Sequence, residues 1–484
     1  MLRSLVLLLA AALVAAFFLY RSLMPPDPLV MPEQGAVLEG VTVVQPGVGR
    51  YAAQRVVVEG GAIADITPAF GEGGEFAGAF ALPGLIDMHV HFPPDTGLRQ
   101  HEIFAFLFLL HGVTSVRDAG DTDGTSSAPV RDAVRSGALA GPRSFACGPF
   151  VDGPPARWPN TVVVEDAMQA RAAVDRIAAE GWDCIKVYDR LKLPELAAIH
   201  AAADRRGLSV IGHVPRRVPF EHAQLDDVQH LSGVQDVAGS MAPFPEALEP
   251  WRRFDDARAT KIEQASLRYG IAHTPTFVTL ERGIAYADYE ALRTGPDAAL
   301  LPRFFADVVW SPTDGMPGLR DQPDAWFRLR EDAFLRGTAL VGRLHRAGVK
   351  IMAGTDTQIA FVVPGIALHR EVRLLADAAG LGAEAALAAA TTVPGATLPV
   401  AKLGRLAPGA PADIAIFAQD PTRDLAALDT LVAVVADGRL YHRAELDAQL
   451  ARYQDYYANP VFDTVSKTLV RRVLAKLFEA QEEE

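Results

Sequence analysis

The chain has 484 residues, 50% hydrophobic and 22% charged, which is enough apolar material for a large core and two or three domains. Its formal charge is −13, and no basic face is concentrated on the body, which excludes a nucleic-acid binder. Two cysteines, Cys147 and Cys184, supply neither a disulfide framework nor a Cys-type zinc site, and both sit in strand-like apolar runs that read as core.

At the N-terminus, Leu5 to Tyr20 is an uncharged apolar run between Arg3 and Arg21. It spans roughly 24 Å as a helix, slightly short of a ~30 Å bilayer core. Arg21 can snorkel and Leu23-Met24 can extend the run. Residues 1–24 therefore read as an uncleaved signal anchor. A cleaved signal peptide is the rival, through Ala10-X-Ala12 or Val14-X-Ala16. Both readings imply membrane attachment or export, with the body extracytoplasmic. Pro25, Pro26, Pro28 and Pro32 make residues 25–36 a stiff linker.

Residues 37–80 read as short strands and turns, with Gly60-Gly61 as a hairpin signal. The same texture returns over residues 400–442. Two separated β segments predict one small β-sandwich built from both ends. Between them, over 81–399, a helix end, a glycine and an apolar strand recur, as in Arg206-Gly207-Leu208-Ser209-Val210-Ile211. Glycine is favoured just past a helix, and strands alternating with helices form parallel sheets. About eight such units predict a (β/α)₈ TIM-like barrel. No Gly-X-Gly-X-X-Gly signature favours an open dinucleotide-binding sheet.

In such barrels chemistry sits at the C-terminal strand ends. The strand opening at Leu85 ends in His89-Val90-His91, and residues two apart on a strand point to one side. Neutral imidazole is the commonest metal ligand. Later strands carry Lys186 and end in His213, His230 and Asp356. Each alone reads equally as a hydrogen-bonded core residue. Together, in this order, they are hard to produce by accident.

At these residues the chain resembles the amidohydrolase superfamily, in its imidazolonepropionase-like and prolidase-like branch. The resemblance rests on Pro83-Gly84-Leu85-Ile86-Asp87-Met88-His89-Val90-His91 and Gly354-Thr355-Asp356, and covers residues 37–440. It implies two divalent metals, usually zinc. His89, His91 and Asp356 would hold the more buried one, and His213 and His230 the other. Lys186 would bridge them as a carbamate formed with CO₂, because a protonated lysine has no lone pair to give. Imidazolonepropionase itself lacks this lysine, so Lys186 argues against that exact activity. The resemblance further implies a metal-activated hydroxide, with Asp356 as general base and then acid.

Further candidates surround this set. Tyr188 could donate to an oxyanion, or be a packed rim tyrosine. His273, Arg216 and Arg217 are candidate substrate contacts, and Asp118 a support for the ligands. Insertions at 236–265 and 281–335 should cover the site, with Phe277, Tyr286, Trp310 and Trp326 lining an apolar pocket. The leading function is hydrolysis of a C–N amide bond in a small dipeptide or N-acyl amino acid. A lactonase or esterase is the alternative, and a catalytically silent membrane-tethered binding protein a third. Homo-oligomerisation stays open. Residues 443–484 form a helical extension. Its stripe of Phe462, Val465, Leu469, Val470, Val473, Leu474, Leu477 and Phe478 is flanked by Lys467, Arg471, Arg472 and Lys476. That pattern suits either a membrane interface or packing on the chain's own body.

Overall fold

The computed structural model describes residues 2–69, 73–94, 98–235 and 246–482. In chain order its strands begin with β1 (Ala36–Gln45), β2 (Gly49–Glu59), β3 (Ala62–Pro68) and β4 (Phe80–Pro83). The middle contributes β5 (Leu85–Val90), β6 (Val113–Asp118), β7 (Arg143–Ala146), β8 (Phe150–Asp152), β9 (Thr161–Val163), β10 (Cys184–Val187), β11 (Ser209–Gly212), β12 (Asp227–Gln229) and β13 (Ala272–Thr274). The last three are β14 (Ile414–Phe417), β15 (Leu431–Ala436) and β16 (Arg439–His442).

Strands from both ends meet in one seven-stranded sheet, ordered β16-β15-β14-β4-β1-β2-β3. The sheet curls on itself: Ile63 N donates to Ala410 O at 2.9 Å, and Gly409 N to Ile63 O at 2.8 Å. Leu38, Val56, Ile63, Ile414 and Val435 form its sealed interior. The two ends thus build one continuous curled sheet rather than two facing ones. β4 passes into β5 through Gly84 alone. A Cβ there would lie 2.1 Å from Thr114 Oγ1, so the junction admits only glycine.

The middle strands form two parallel sheets, β5-β6-β7 and β13-β12-β11-β10-β8-β9. Gly207 and Gly270 close the helices before β11 and β13 in left-handed conformation, as the repeated pattern predicts. The sheets are joined at both margins. Asp183 N donates to Ala146 O at 2.8 Å, linking β7 to β10. At the other margin His273 bridges Ile351, and Met88 N donates to Ala353 O at 2.9 Å. The segment Ile351–Asp356 therefore lies between β13 and β5.

Several expectations are corrected. Cys147 and Cys184 are joined in a disulfide across the β7–β10 seam; their 37-residue separation hides the neighbourhood that the seam creates. The N-terminal helix forms over Leu2–Leu23, but among the described residues no helix is long and apolar enough to cross a membrane. The uncharged run stops short of a bilayer core. Phe277, Tyr286, Trp310 and Trp326 are all buried packing residues; Tyr286 and Trp310 close around Phe361, with ring centroids 6.1 and 4.9 Å away. Residues 236–245 of the first insertion lie outside the described residues.

The C-terminal helix Pro460–Glu482 starts as its sequence predicts, with Asn459 Oδ1 accepting from Val461 N at 2.9 Å. Phe462 and Val470 are buried against the chain's own body. Lys467 is held at 2.8 Å by both Asp307 and Asp463, which removes it from any lipid phosphate. Phe462 and Val470 thus pack on protein, Val465 and Leu469 are exposed, and the side chains of Lys476, Leu477 and Phe478 lie outside the described residues.

The disulfide closes a 37-residue loop. Replacing both cysteines with alanine should lower unfolding free energy by about 2–4 kcal/mol. Urea denaturation of the two proteins measures this, and coincident midpoints would contradict a bonded pair.

Candidate metal centre

β5 has a bulged register against β6 near its end, and its last residues bring His89 and His91 to one side. Their Nε2 atoms are 3.2 Å apart. Both face Asp356 Oδ1, at 3.2 and 3.3 Å. Asp356 takes left-handed φ, 56°, and its amide donates to His89 O at 2.7 Å. His230, also at left-handed φ, 57°, brings Nε2 to 3.7 Å from Asp356 Oδ2. The His213 ring meets that of His230 at 5.1 Å.

Three of the outer nitrogens are engaged, which aims the inner ones, while the buried His89 Nδ1 has no partner among the described residues. His91 Nδ1 donates to Gly120 O at 2.7 Å. His213 Nδ1 donates to Asp189 Oδ1 at 2.8 Å. His230 Nδ1 meets Thr276 Oγ1 at 2.7 Å. With a carbonyl and a carboxylate accepting from the first two, His91 and His213 carry their lone pairs on Nε2. Burial holds His89 well below the ordinary imidazole range and His230 down at about 3. Burial alone would raise the Asp356 carboxyl; the His230, His89 and His91 rings override it and hold it well below the usual range. Burial would also lower His91, but Asp356 and Asp118 bring it above the ordinary value.

Electron-rich atoms crowded around one carboxylate suit a bound cation. His89, His91 and Asp356 each offer one ligand atom, all within 4.8 Å of one another. Imidazole and carboxylate together match a zinc-type donor set.

Lys186 is 1% exposed, and burial pushes its amine down to about 7. A neutral amine is the form that adds CO₂. Its Nζ contacts Gln229 Oε1 closely, and its charge is felt by His89, His91, His213 and His230. All six expected ligands therefore share one neighbourhood.

The remaining candidates separate. Tyr188 stacks on His213 with centroids 4.3 Å apart, and burial keeps its hydroxyl protonated, above the ordinary value. Arg216 Nη2 is 3.1 Å from Asp189 Oδ2, so it steadies the carboxylate that orients His213. Arg217 is exposed. Asp118 accepts from Gly120 N at 3.2 Å and Ser127 Oγ at 2.7 Å, and so supports the turn that holds His91. His273 is turned away from the cluster: its Nε2 meets Ser266 Oγ at 2.9 Å on helix Asp256–Tyr269, and its ring stacks on Phe220. It is a core histidine and not a substrate contact.

Residues unread in the sequence complete the frame. Asp87 accepts from Thr355 N at 3.0 Å and Thr355 Oγ1 at 2.7 Å, tying the His-X-His strand to the Asp356 turn. Arg117 donates to Met88 O at 2.9 Å and pairs closely with Asp227 beneath the cluster. A cavity of about 250 Å³ lined by Arg117, Asp227, Cys184 and Met352 lies at the opposite strand ends and does not reach the ligands.

His273→Gln should leave kcat/KM unchanged. Burial holds the folded-state imidazole at about 3 against 6.5 in the unfolded chain. The folded protein therefore binds fewer protons between these values, and the histidine's contribution is full above pH 6.5 and lost as pH falls toward 3. The stability gap between wild type and variant should shrink over that window in denaturant titrations; a gap constant with pH, or a raised KM, would contradict this placement.

Comparison with known proteins agrees with this geometry. The amidohydrolase family profile matches residues 80–242 and 318–441. Among solved structures, bottromycin amidohydrolase superposes with TM-score 0.69 at 23% identity, covering 88% of this chain and 91% of its own. A Xaa-Pro dipeptidase with methionine bound in its active site gives 0.62 at 21% identity, with coverages of 84% and 100%. A prolidase complexed with N-methylphosphonate-L-proline gives 0.60 at 20%, with coverages of 84% and 99%. At these identities the likeness is one of fold. The curated SecA translocase subunit of Nitratidesulfovibrio vulgaris (strain DSM 19637 / Miyazaki F) is 25% identical over 170 residues, 34% of this chain; the chain covers only 20% of that relative's length. The family match takes in more than half of the sequence, in two stretches separated by residues 243–317, which hold parts of both insertions, and on that extent this chain belongs to the amidohydrolase family.

Proposed function

We propose that this amidohydrolase is a metal-dependent hydrolase that cleaves a C–N amide bond in a small dipeptide or N-acyl amino acid. The observation that carries the reading is the convergence of His89, His91 and His230 on the Asp356 carboxylate, at 3.2–3.7 Å. The fold shared with a Xaa-Pro dipeptidase and a prolidase supports the substrate class. The joined parallel segments from β5 to Ile351–Asp356 support a (β/α)₈ barrel, with the cluster at its C-terminal strand ends.

His89, His91 and Asp356 would hold one divalent ion, most suitably zinc, and His213 and His230 a second. Lys186 would serve both as a carbamate. When bound, such ions lower the pKa of water toward about 7 and polarise a carbonyl. Asp356 receives the proton of the attacking water on a carboxylate oxygen and returns it to the departing nitrogen. Its lowered pKa keeps the carboxylate ionised, with an oxygen free to take that proton. The protonated Tyr188 hydroxyl donates to the developing oxyanion. Asp189, braced by Arg216, keeps the His213 ring oriented.

We also propose that the N-terminal helix attaches the protein to a membrane surface, with the body outside the cytoplasm. Leu7, Leu9 and Leu19 are 48–70% exposed on different sides of that helix, and a helix apolar all round is poorly suited to water. The buried disulfide favours an oxidising compartment.

Plasma mass spectrometry of reconstituted protein should find two divalent ions per chain, and a panel of dipeptides and lactones should show amide turnover. Asp356→Asn should lower kcat at least ~10²-fold. Lys186→Ala should abolish turnover, with partial return on adding short carboxylic acids. One ion or none, or wild-type rates in Lys186→Ala, would overturn the binuclear reading; lactone turnover alone would overturn the substrate class. Deleting residues 2–24 should abolish flotation with liposomes, and unchanged flotation would rule out the helix as the attachment.

A further inference from the structure

Helix Phe277–Ala285 begins without its own cap. Thr276 occupies the N-cap position, where a threonine ordinarily accepts a hydrogen bond from an amide two or three residues on. Here Thr276 adopts left-handed backbone angles, φ 53° and ψ 48°, and makes no side-chain cap. Its hydroxyl lies 2.7 Å from His230 Nδ1 instead. The amide left over is taken by a residue 93 positions away: Val278 N donates to Glu371 Oε2 at 2.7 Å.

Glu371 sits on helix Ile366–Asp377 and is 0% exposed. Burial pushes its carboxyl up to about 8, while the Val278 and Phe277 amides pull it down. A carboxylate at a helix N-terminus is further favoured by the helix dipole. The neighbouring Arg370 grips Glu281 on the first helix, with Nε 2.8 Å from Oε2, so the two helices are clamped at a second level. Helix Ile366–Asp377 also begins ten residues after Asp356.

We propose that Glu371 is a positioning residue for His230: by capping helix Phe277–Ala285 from outside, it releases the Thr276 hydroxyl to hold the His230 ring with Nε2 toward Asp356. A left-handed, β-branched Thr276 persists only when its surroundings fix it, and the Glu371 cap fixes the residues immediately after it. The consequence for metal affinity rests on the binuclear reading; the effect on the ring does not.

The test uses full-length protein with ¹⁵N-labelled histidine, first metal-free. The His230 signal, identified by its loss in His230→Gln, should report a single neutral tautomer in wild type. Glu371→Ala and Thr276→Val should each mix the tautomers. In zinc titrations each should weaken one of two ions roughly 10–100-fold, and the double variant should lose no more than the worse single. Glu371→Gln, which keeps an acceptor oxygen for Val278 N, should retain most of the affinity. If Glu371→Ala does not fold, Glu371→Asp, which keeps the carboxyl group but withdraws its oxygens, should mix the tautomers. An unchanged His230 signal in the folded variant, or losses that multiply in the double variant, would overturn the proposal. If wild type takes up no zinc, the binuclear reading falls, and the tautomer measurement still decides the role of Glu371.

Discussion

One carboxylate organises the centre of this protein. Asp356 draws two histidines from β5 and a third from the end of β12 onto its two oxygens. His89 is sealed by burial, and the other rings of the cluster are held from behind, which keeps them from relaxing toward solvent. The holding groups are a carbonyl for His91, a carboxylate for His213 and a hydroxyl for His230. Asp87 ties the Asp356 turn to the strand it faces. Beneath them the buried Arg117–Asp227 pair, with Thr274 Oγ1 at 2.9 Å from Asp227, supports neighbouring strands from within. Breaking a buried pair of this kind leaves an unmatched charge, so this layer admits few substitutions.

The clustering of the candidate ligands was legible because it obeys local rules. His89 and His91 are two apart on a strand, and that parity needs no knowledge of the rest of the fold. His273 shows where the rule misleads. It lies within β13, between Ala272 and Thr274, and Thr274 points inward to Asp227. The alternation therefore sends His273 outward to the helices; one residue of register reverses the face. His230 escapes the same fate because its left-handed φ turns it out of strand geometry, which no residue pattern announces.

Apart from Asp118, the supporting residues were unreadable for another reason. Asp189 meets His213 across 24 positions and Thr276 meets His230 across 46. These partners are acid and hydroxyl types found throughout the chain, and only the folded arrangement selects them. The disulfide belongs to the same class. β8 carries on along β10 from where β7 stops, and the chain then leaves through β9 and helix Ala167–Ala179 before Cys184 arrives beside Cys147. The curled sheet was visible as two β textures, but its continuity depends on β4 lying between β14 and β1.

That placement of β4 has a consequence for biosynthesis. β1 to β4 leave the ribosome first, yet one edge of β4 finds its partner only when Ile414–Phe417 has been made. For most of synthesis the N-terminal half-sheet carries an open edge and part of an unsealed apolar interior. Open edges are templates for pairing with other chains, and contacts this distant in sequence form slowly. The nascent protein is therefore most vulnerable to aggregation before its last strands emerge. Completion of the small sheet, rather than assembly of the ligand cluster, is the step at which a newly made chain becomes safe from its neighbours.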